Sequence, residues 1–177
     1  MKVFKTKFKG LKIIKHNRNV DRRGSLRETF KKKIMNWENF VLEYATVSKK
    51  NILRGFHFQH HYPQAKLVTV IKGKIFDCVI DLRKNSKTFG RIFKCILSET
   101  NGKSIFIPPG FAHGFCSLDK ENYVIYSCTR YRDSVSEAAI KYNDKQLKIN
   151  WPIKKPTVSK KDKNAASFEE FKKKFKL

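Results

Sequence analysis

The stretch KLVTVIKGKIFDCVIDLR, residues 66–83, decides the class of fold. It contains two apolar runs rich in Val and Ile, separated by Gly73, and apolar and polar side chains partly alternate along each run. A period of two that is interrupted by a glycine is typical of successive β-strands. The stretch therefore predicts two short strands, one on each side of the glycine.

The same pattern extends outward, from about residue 41 to residue 130. Further runs of Val, Ile, Phe and Tyr are separated by Gly, Asn, Ser and Pro, and four more are candidate strands: VLEYATV, FGRIFKCIL, SIFIP and YVIYSCT. Many short strands with almost no helical periodicity between them favour an antiparallel sandwich or barrel of the jelly-roll type. We therefore expect an all-β fold.

Helix is expected only at the periphery, in a short turn around residues 31–39 and at the C-terminus. The segment SFEEFKKKFKL, residues 167–177, begins with a serine cap, and its glutamates and lysines complement the helix dipole. We expect its phenylalanines, Phe168, Phe171 and Phe175, to pack the helix onto the domain, although an interaction surface is an alternative. The segment PIKKPTVSKKDKNAA, residues 152–166, resembles a linker.

The length of 177 residues favours a single domain. We expect N-terminal strands in residues 1–40, a jelly-roll core in residues 41–152, and a tail with the helix in residues 153–177. No apolar run is long enough for a signal peptide or a membrane span, which predicts a soluble cytoplasmic protein with no membrane partner. The four cysteines, which form no CxxC pair, are expected to be buried reduced thiols: Cys78, Cys95, Cys116 and Cys128.

The formal net charge of +25 attracts anions to the protein. Most of this charge comes from lysines scattered along the chain, and no helix-turn-helix, zinc-finger or RRM-like signature accompanies it. We therefore expect no nucleic-acid partner. A solvated lysine-rich surface, or a small anionic substrate such as a nucleotide diphosphate, explains the charge.

Functional side chains are concentrated in NILRGFHFQHH, residues 51–61, which has one arginine and three histidines. Arg54 and His57 are three positions apart in a strand-like run, so they point to opposite faces unless a bend at Gly55 intervenes. A single histidine on such a strand is more often structural than catalytic. Metal ligation, base catalysis and a solvated loop are the three alternatives.

A series of segments resembles the dTDP-4-dehydrorhamnose 3,5-epimerase family, a branch of the cupin jelly rolls. The segments are, in order, DRRGSLRE, ILRGFHFQ, QAKLVTVIKGKIFDCVIDLRKNSKTFG, IFIPPGFAHGF, YSCTRY, INWP and SKKD. The resemblance is collinear from residues 21–28 to residues 159–162. It implies a cupin-type antiparallel β jelly roll with short peripheral helices, and an isomerase that needs no cofactor.

The comparison with metal-binding cupins argues against a metal site. His57 is kept, but Gln59 stands where the second histidine ligand would be, and Lys66 takes the place of the glutamate ligand. His113 matches the last ligand. Because an ammonium group repels a divalent cation, we predict a pocket without metal. His60 and His61 lie beyond the motif and are expected to be solvated.

Epimerisation beside a ketone requires a base, an acid and a group that stabilises the enolate. By resemblance, His57 is the base and Asp162 orients it, while Tyr126 is the acid. Lys66 and Arg54 would stabilise the enolate. The implied substrate is dTDP-4-dehydro-6-deoxy-D-glucose, inverted at C3 and C5 in dTDP-L-rhamnose biosynthesis. The alternatives are a single-centre epimerase, an epimerase of another nucleotide-linked 4-keto-6-deoxy sugar, or a jelly-roll module that binds sugars or polyanions without catalysis.

Further positions match substrate-binding residues of the family: Arg23, Glu28, His113, Glu137 and Lys161. In the family, the first two reach the pocket of a neighbouring subunit, which implies a homodimer with exchanged N-terminal strands.

Two positions depart from the family's pattern. Leu42 replaces a glutamine, and Arg132 stands where a tyrosine would stack on the base, although an arginine can also stack. Both changes fall on substrate recognition, so the reaction type is better supported than the substrate.

Overall fold

The computed structural model describes residues 1–175. Within them, the chain forms strands β1 (Lys2–Lys5), β2 (Lys12–Lys15), β3 (Asn19–Asp21), β4 (Gly24–Leu26), β5 (Leu42–Lys49), β6 (Ile52–Gln59), β7 (Lys66–Lys72), β8 (Lys74–Asp81), β9 (Ile92–Ser98), β10 (Lys103–Ile107), β11 (Phe111–Ser117), β12 (Glu121–Cys128), β13 (Glu137–Ala139) and β14 (Thr157–Val158), followed by helices α1 (Lys160–Lys163) and α2 (Phe168–Lys174). Strands dominate, as the sequence predicts, and both helices lie near the C-terminus.

Two large sheets form the fold. The first has the strand order β1-β2-β10-β7-β12-β5, and the second has the order β13-β6-β11-β8-β9, with β14 added to β6. All pairs in both sheets are antiparallel except the short parallel contact of β14 with β6. Strands β3 and β4 form a separate exposed hairpin. This arrangement confirms the predicted jelly-roll class.

The stretch from residue 66 to residue 83 forms β7 and β8, but these two strands do not pair with each other. One lies in the first sheet and the other in the second. The chain crosses between the sheets at Gly73, which has a φ angle of +82°. A Cβ atom there would lie 2.2 Å from the carbonyl oxygen of Glu121, so the crossing requires a glycine.

The main hydrophobic core lies between the two sheets. It contains inward-facing residues of both, among them Val68, Val70, Val79, Phe115 and Tyr126. A second cluster packs the outer face of the second sheet against α2 through Phe168 and Phe171. Burial on both faces explains why the apolar residues of β8 do not strictly alternate with polar ones.

A third cluster covers the outer face of the first sheet. Met35, Trp37 and Phe40, from the segment before β5, pack against Leu67 and Phe106. The turn predicted around residues 31–39 therefore exists, and its side chains contribute to the core. It contains a single helical turn, in which the amide of Met35 donates to the carbonyl of Lys31.

The predicted C-terminal helix is confirmed as α2. Ser167 caps it, and a capping box joins the Ser167 side chain and Glu170. Residues 176 and 177, which belong to the predicted helix, lie outside the described residues. In residues 1–175, no helix is long and apolar enough to cross a membrane.

Two predictions about organisation are wrong. The stretch predicted as a linker, residues 152–166, contains β14 and α1 and contributes a buried aspartate to the interior. Strand β11 was not among the candidate strands, because its sequence FAHGFCS follows Pro-Pro-Gly and contains a further glycine, which are turn signals. Every residue of β11 is buried.

Candidate active site

A β-bulge in β6 brings Arg54 and His57 to the same side of the second sheet. His57 lies opposite His113 of β11 and Arg54 lies opposite Phe115, so three positions on β6 match two on β11. Gly55 has a φ angle of +121°, and a Cβ atom there would lie 2.5 Å from the backbone of β11. The bend anticipated at this glycine therefore exists. Both side chains belong to the face that carries His113.

His57 is held by Asp162, which comes from the other end of the chain. The Nε2 atom of His57 lies 2.6 Å from Oδ1 of Asp162, and the backbone amide of Gly55 donates to Oδ2 at 3.3 Å. Burial alone would raise the pKa of Asp162. The hydrogen bond from His57 and the electrostatic attraction of the His57 ring outweigh this effect, so the pKa of Asp162 is lowered. An ionised carboxylate only accepts hydrogen bonds, so Nε2 carries a proton and Nδ1 is the basic atom of the neutral ring.

Local pairing explains how Asp162 reaches this position. Thr157 and Val158 of β14 add to the edge of β6 beside Ile52 and Leu53. The side chain of Ser159 then caps α1 by accepting from the amide of Asp162 itself, at 3.1 Å. The short helix turns the carboxylate inward, where only 4% of its side chain is exposed.

Tyr126 lies on β12 of the opposite sheet, with its side chain in the core. Its ring meets the edge of His113 with a centroid distance of 5.9 Å. Burial raises the pKa of Tyr126 well above its ordinary value, Tyr44 and Asp77 add to the rise, and Arg54 opposes it. The phenol is therefore protonated at neutral pH, which is the state that a general acid requires.

His113 forms a second histidine–aspartate pair, with Asp77 of β8. Their Nε2 and Oδ2 atoms are 2.7 Å apart, and both side chains are almost completely buried. The other carboxylate oxygen of Asp77 has no hydrogen-bond partner within residues 1–175. Sequence reasoning missed Asp77, although an acidic residue within the apolar run KIFDCVID is a signal that could have identified it.

Lys66 is half-buried at the start of β7, opposite Cys128 of β12. Burial lowers the pKa of Lys66, while Cys128 and Glu137 partly counteract this effect. Glu137 is therefore close enough to influence the ammonium group of Lys66 electrostatically. In the described part of the chain, that ammonium makes no hydrogen bond or ion pair, so it is available to a ligand.

Three of the predicted binding residues form one charged cluster. Arg132 donates to the two carboxylate oxygens of Glu137 at 3.1 and 2.9 Å, and Lys161 also pairs with Glu137. The hydrogen bond from Arg132 is the largest of the influences that lower the pKa of Glu137 to about 2. Arg132 and Lys161 are largely exposed, so the cluster lies at the surface with one net positive charge.

Within the described residues of a single chain, Arg23 and Glu28 do not join the cluster of Arg132, Glu137 and Lys161. Arg23 lies in the exposed turn between β3 and β4 and pairs with Asp21, and Glu28 pairs with Lys31. Leu42, at the position of the family's glutamine, packs against the core and lies opposite Cys128 in the sheet.

The prediction for one of the two remaining histidines is wrong. His60 is not a solvated residue, because its ring contacts Phe175 and its Nδ1 lies 2.7 Å from the carbonyl oxygen of Ser136. That ordered contact gives it a structural role. His61 is exposed, as expected.

Gln59 and Lys66 stand at the positions of metal ligands in metal-binding cupins. Lys66 carries a positive charge, and Gln59 has other hydrogen-bond partners. The side-chain amide of Gln59 donates to the carbonyl of Tyr62 and accepts from the amide of Asp133. Among residues 1–175, no group of three or more His, Cys, Asp or Glu side chains could hold a metal ion.

The fold and the site define a jelly-roll protein with a histidine–aspartate pair and a buried tyrosine, equipped for proton transfer. The sequence profile of the family described as dTDP-4-dehydrorhamnose 3,5-epimerase matches residues 5–170. The enzyme of that name from Methanothermobacter thermautotrophicus is 41% identical over 168 residues, which cover 90% of each chain. The chain therefore belongs to the dTDP-4-dehydrorhamnose 3,5-epimerase family.

Solved structures support the same assignment. A crystal structure of dTDP-6-deoxy-D-glucose-3,5-epimerase from Legionella pneumophila, in complex with dTDP-4-keto-L-rhamnose, has a TM-score of 0.89 and 37% identity, covering 95% of this chain and 93% of that one. An epimerase structure from Mycobacterium tuberculosis has a TM-score of 0.94 and 31% identity, covering 100% of this chain and 93% of that one. The resemblance predicted from the sequence motifs is confirmed.

Proposed function

We propose that the protein is a dTDP-4-dehydrorhamnose 3,5-epimerase, which inverts C3 and C5 of dTDP-4-dehydro-6-deoxy-D-glucose. The observation that carries the proposal is the placement of a base and an acid on opposite sheets. His57 is held by Asp162 on one sheet, and the protonated Tyr126 lies on the other. His113 pairs with His57 in the sheet and contacts Tyr126, so it links the two positions.

The proposed reaction begins with proton removal by His57. Its Nδ1 takes the proton from the carbon beside the C4 ketone, and Asp162 stabilises the resulting imidazolium. The electron pair of the broken C–H bond forms the C–C double bond of an enolate, whose negative charge rests on the C4 oxygen. The ammonium of Lys66 and the guanidinium of Arg54 stabilise this oxygen.

Tyr126 completes the inversion by donating its phenolic proton to the opposite face of the same carbon. The phenolate then regains a proton from solvent, and His57 releases its proton. Because C3 and C5 both flank the C4 carbonyl, the same two groups serve both centres when the sugar shifts between the two steps. The positive charge of Arg54 facilitates the transient ionisation of Tyr126, since it opposes the rise of the phenol's pKa.

Solvent deuterium tests the proposed reaction. With dTDP-4-dehydro-6-deoxy-D-glucose in deuterated water, we expect deuterium at both C3 and C5 of the product, measured by mass spectrometry and proton NMR. Label at one centre would indicate a single-centre epimerase. Absence of label, with the nucleotide sugar still bound, would favour a binding module instead.

The homodimer is part of the proposal, because in the described part of the chain Arg23 and Glu28 pair with Asp21 and Lys31 and make no contact with the site. Their exposure on and beside the β3–β4 hairpin supports a role in a partner subunit's pocket. Mixing inactive His57→Ala and Arg23→Ala subunits tests it. In a mixed dimer, one pocket would combine an intact His57 with an intact Arg23, so random exchange should restore roughly a quarter of wild-type activity. No recovery after verified subunit exchange would contradict the shared site.

We also infer that catalysis needs no metal or other cofactor. The positive charge of Lys66 and the satisfied amide of Gln59 support this inference. Stoichiometric zinc or iron in elemental analysis of the active enzyme would contradict it.

A cytoplasmic location is proposed because all four cysteines are free and three of them are buried. Free thiols are typical of a reducing compartment.

A further inference from the structure

Tyr44 covers the ring of the proposed general acid. It lies on β5, directly opposite Tyr126 in the antiparallel pair of β5 and β12. The two rings are 4.8 Å apart between centroids, with an angle of 9° between their planes, so they are stacked face to face. Tyr44 is 40% exposed, whereas Tyr126 is 5% exposed. Tyr44 therefore covers one face of the Tyr126 ring.

A second contact restrains the same phenol from another direction. The ring of His113 meets Tyr126 nearly edge-on, at an angle of 67°. His113 is itself immobilised by its buried pair with Asp77. Rotation of the Tyr126 side chain would have to break the stack with Tyr44 or collide with this anchored imidazole.

The position of Tyr44 differs from that of an ordinary core aromatic. It lies on an edge strand and keeps much of its ring exposed, so hydrophobic burial alone does not account for it. Burial raises the pKa of Tyr44, Cys128 and Glu137 add to the rise, and Arg132 opposes it, so its hydroxyl lies within the field of the charged surface cluster. Tyr44 thus extends from the proposed acid towards the residues predicted to bind the nucleotide sugar.

We propose that Tyr44 is a positioning residue, which holds the phenol of Tyr126 so that the enolate is reprotonated on the face opposite His57. The inference rests on the proposed function. The imidazolium of His57 can also return its proton to the face from which it came, which restores the original configuration. Inversion requires Tyr126 to donate its proton before that return occurs. If the phenol is not held in place, the return of the proton by His57 is faster than donation by Tyr126, and inversion falls.

The test compares exchange with inversion in deuterated water. His57 is partly exposed, so its proton exchanges with solvent before it is returned, and each return with retention labels the recovered substrate. For Tyr44→Leu, which removes the flat ring but keeps an apolar side chain, we expect formation of inverted product to fall on the order of tenfold to a hundredfold. Label in recovered substrate of retained configuration should persist or increase.

Two further variants make the comparison specific. Tyr44→Phe keeps the stacking ring and should retain the wild-type ratio of inversion to retained exchange. Tyr123→Leu makes the same change on the same strand as Tyr126, but on the outer face of the sheet, and should also leave the ratio unchanged. Thermal unfolding and dTDP binding of each variant verify that the pocket is folded.

The possible results separate this inference from the proposed function. A wild-type ratio in folded Tyr44→Leu would overturn the positioning role while leaving the epimerase proposal intact. An equal fall in inversion and in retained exchange would also overturn it, because that pattern indicates general damage to the site. If the unmodified protein shows no exchange at all, both the proposed function and the role of Tyr44 are overturned.

Discussion

Two histidine–aspartate pairs have their histidines on neighbouring strands of one sheet, β6 and β11, and differ in their access to solvent. In the first, the side chains of His57 and Asp162 are 34% and 4% exposed, and in the second, those of His113 and Asp77 are 5% and 0% exposed. The nitrogen–oxygen distances, 2.6 and 2.7 Å, are almost the same. The hydrogen-bond distance therefore does not distinguish the two pairs, whereas the exposure of the histidine side chain to solvent does.

A histidine–aspartate pair is therefore suited to catalysis where the imidazole is accessible, and to a structural role where it is enclosed. An imidazole that is one-third exposed can reach a substrate and exchange its proton, which a general base must do. The enclosed imidazole of His113 is suited to holding Tyr126 in place. We therefore expect the first pair to control the reaction rate and the second to control stability.

The largest effect is expected for His57→Ala, which removes the proposed base. Turnover should fall about 10³- to 10⁴-fold, within the range for loss of general acid–base catalysis. Deuterium exchange at C3 and C5 should fall in parallel, while dTDP binding measured by calorimetry stays largely intact. Deuterium exchange at the wild-type rate in this variant would show that His57 is not the base, and would contradict the catalytic role of the first pair.

Replacement of His113 should mainly affect stability. In His113→Ala, the carboxylate of Asp77 is left buried without its partner, and breaking a buried pair in this way costs about 3–5 kcal/mol. Chemical denaturation at pH 7 measures the loss. The double variant His113→Leu with Asp77→Leu is the control, since it removes both members of the buried pair and should recover much of the stability. Equal stability of wild type and His113→Ala would show that the second pair is not structural.

A smaller change in rate is expected for Asp162→Asn. The amide keeps the shape of the carboxylate but no longer stabilises the imidazolium of His57, so turnover should fall about 10²-fold, at the lower end of the range for general acid–base catalysis. The rate as a function of pH should be measured alongside, with Asp144→Asn as a control at an aspartate that instead accepts a hydrogen bond from the first amide of α2. Similar losses of turnover in both folded variants would argue against a specific role for Asp162.

The smallest effect concerns the charged surface cluster around Glu137. Its pKa is about 2 in the folded protein, against an ordinary value of 4.5, so the folded state binds fewer protons than the unfolded state between these values. The ion pairs therefore stabilise the protein above pH 4.5, and this contribution is lost as the pH falls from 4.5 towards 2. Glu137→Gln should lower the free energy of unfolding by about 1 kcal/mol at pH 7.

The difference in the free energy of unfolding between wild type and Glu137→Gln should become smaller as the pH falls from 4.5 towards 2. Urea denaturation measures this difference. Glu169→Gln is the matched control, because the ion pair of Glu169 with Lys173 on α2 is exposed on both sides. A difference for Glu137→Gln that does not depend on pH would contradict the assigned pKa.

The sequence motifs predicted the family, the β class and most strands between residues 41 and 130, because these depend on local alternation and on short segments. They also identified Gly55 as the place where a bend would put Arg54 and His57 on one face, since a glycine between two functional residues of a strand is a local signal. The partnership of His57 and Asp162 could be predicted only by resemblance to the family. From the residues alone, an aspartate in a lysine-rich tail looks like a surface acid, and the same tail was wrongly interpreted as a linker.

Short β-strands and a capped C-terminal helix follow from the local amino-acid pattern, since periodicity and end-capping act between near neighbours. The separation of β7 and β8 into two sheets, and the contact of Asp77 with His113, depend instead on how the whole chain folds. The stack of Tyr44 on Tyr126 was likewise decided by strand pairing, which joins residues 82 positions apart. Such contacts depend on how strands from distant segments align, and no local pattern encodes that alignment.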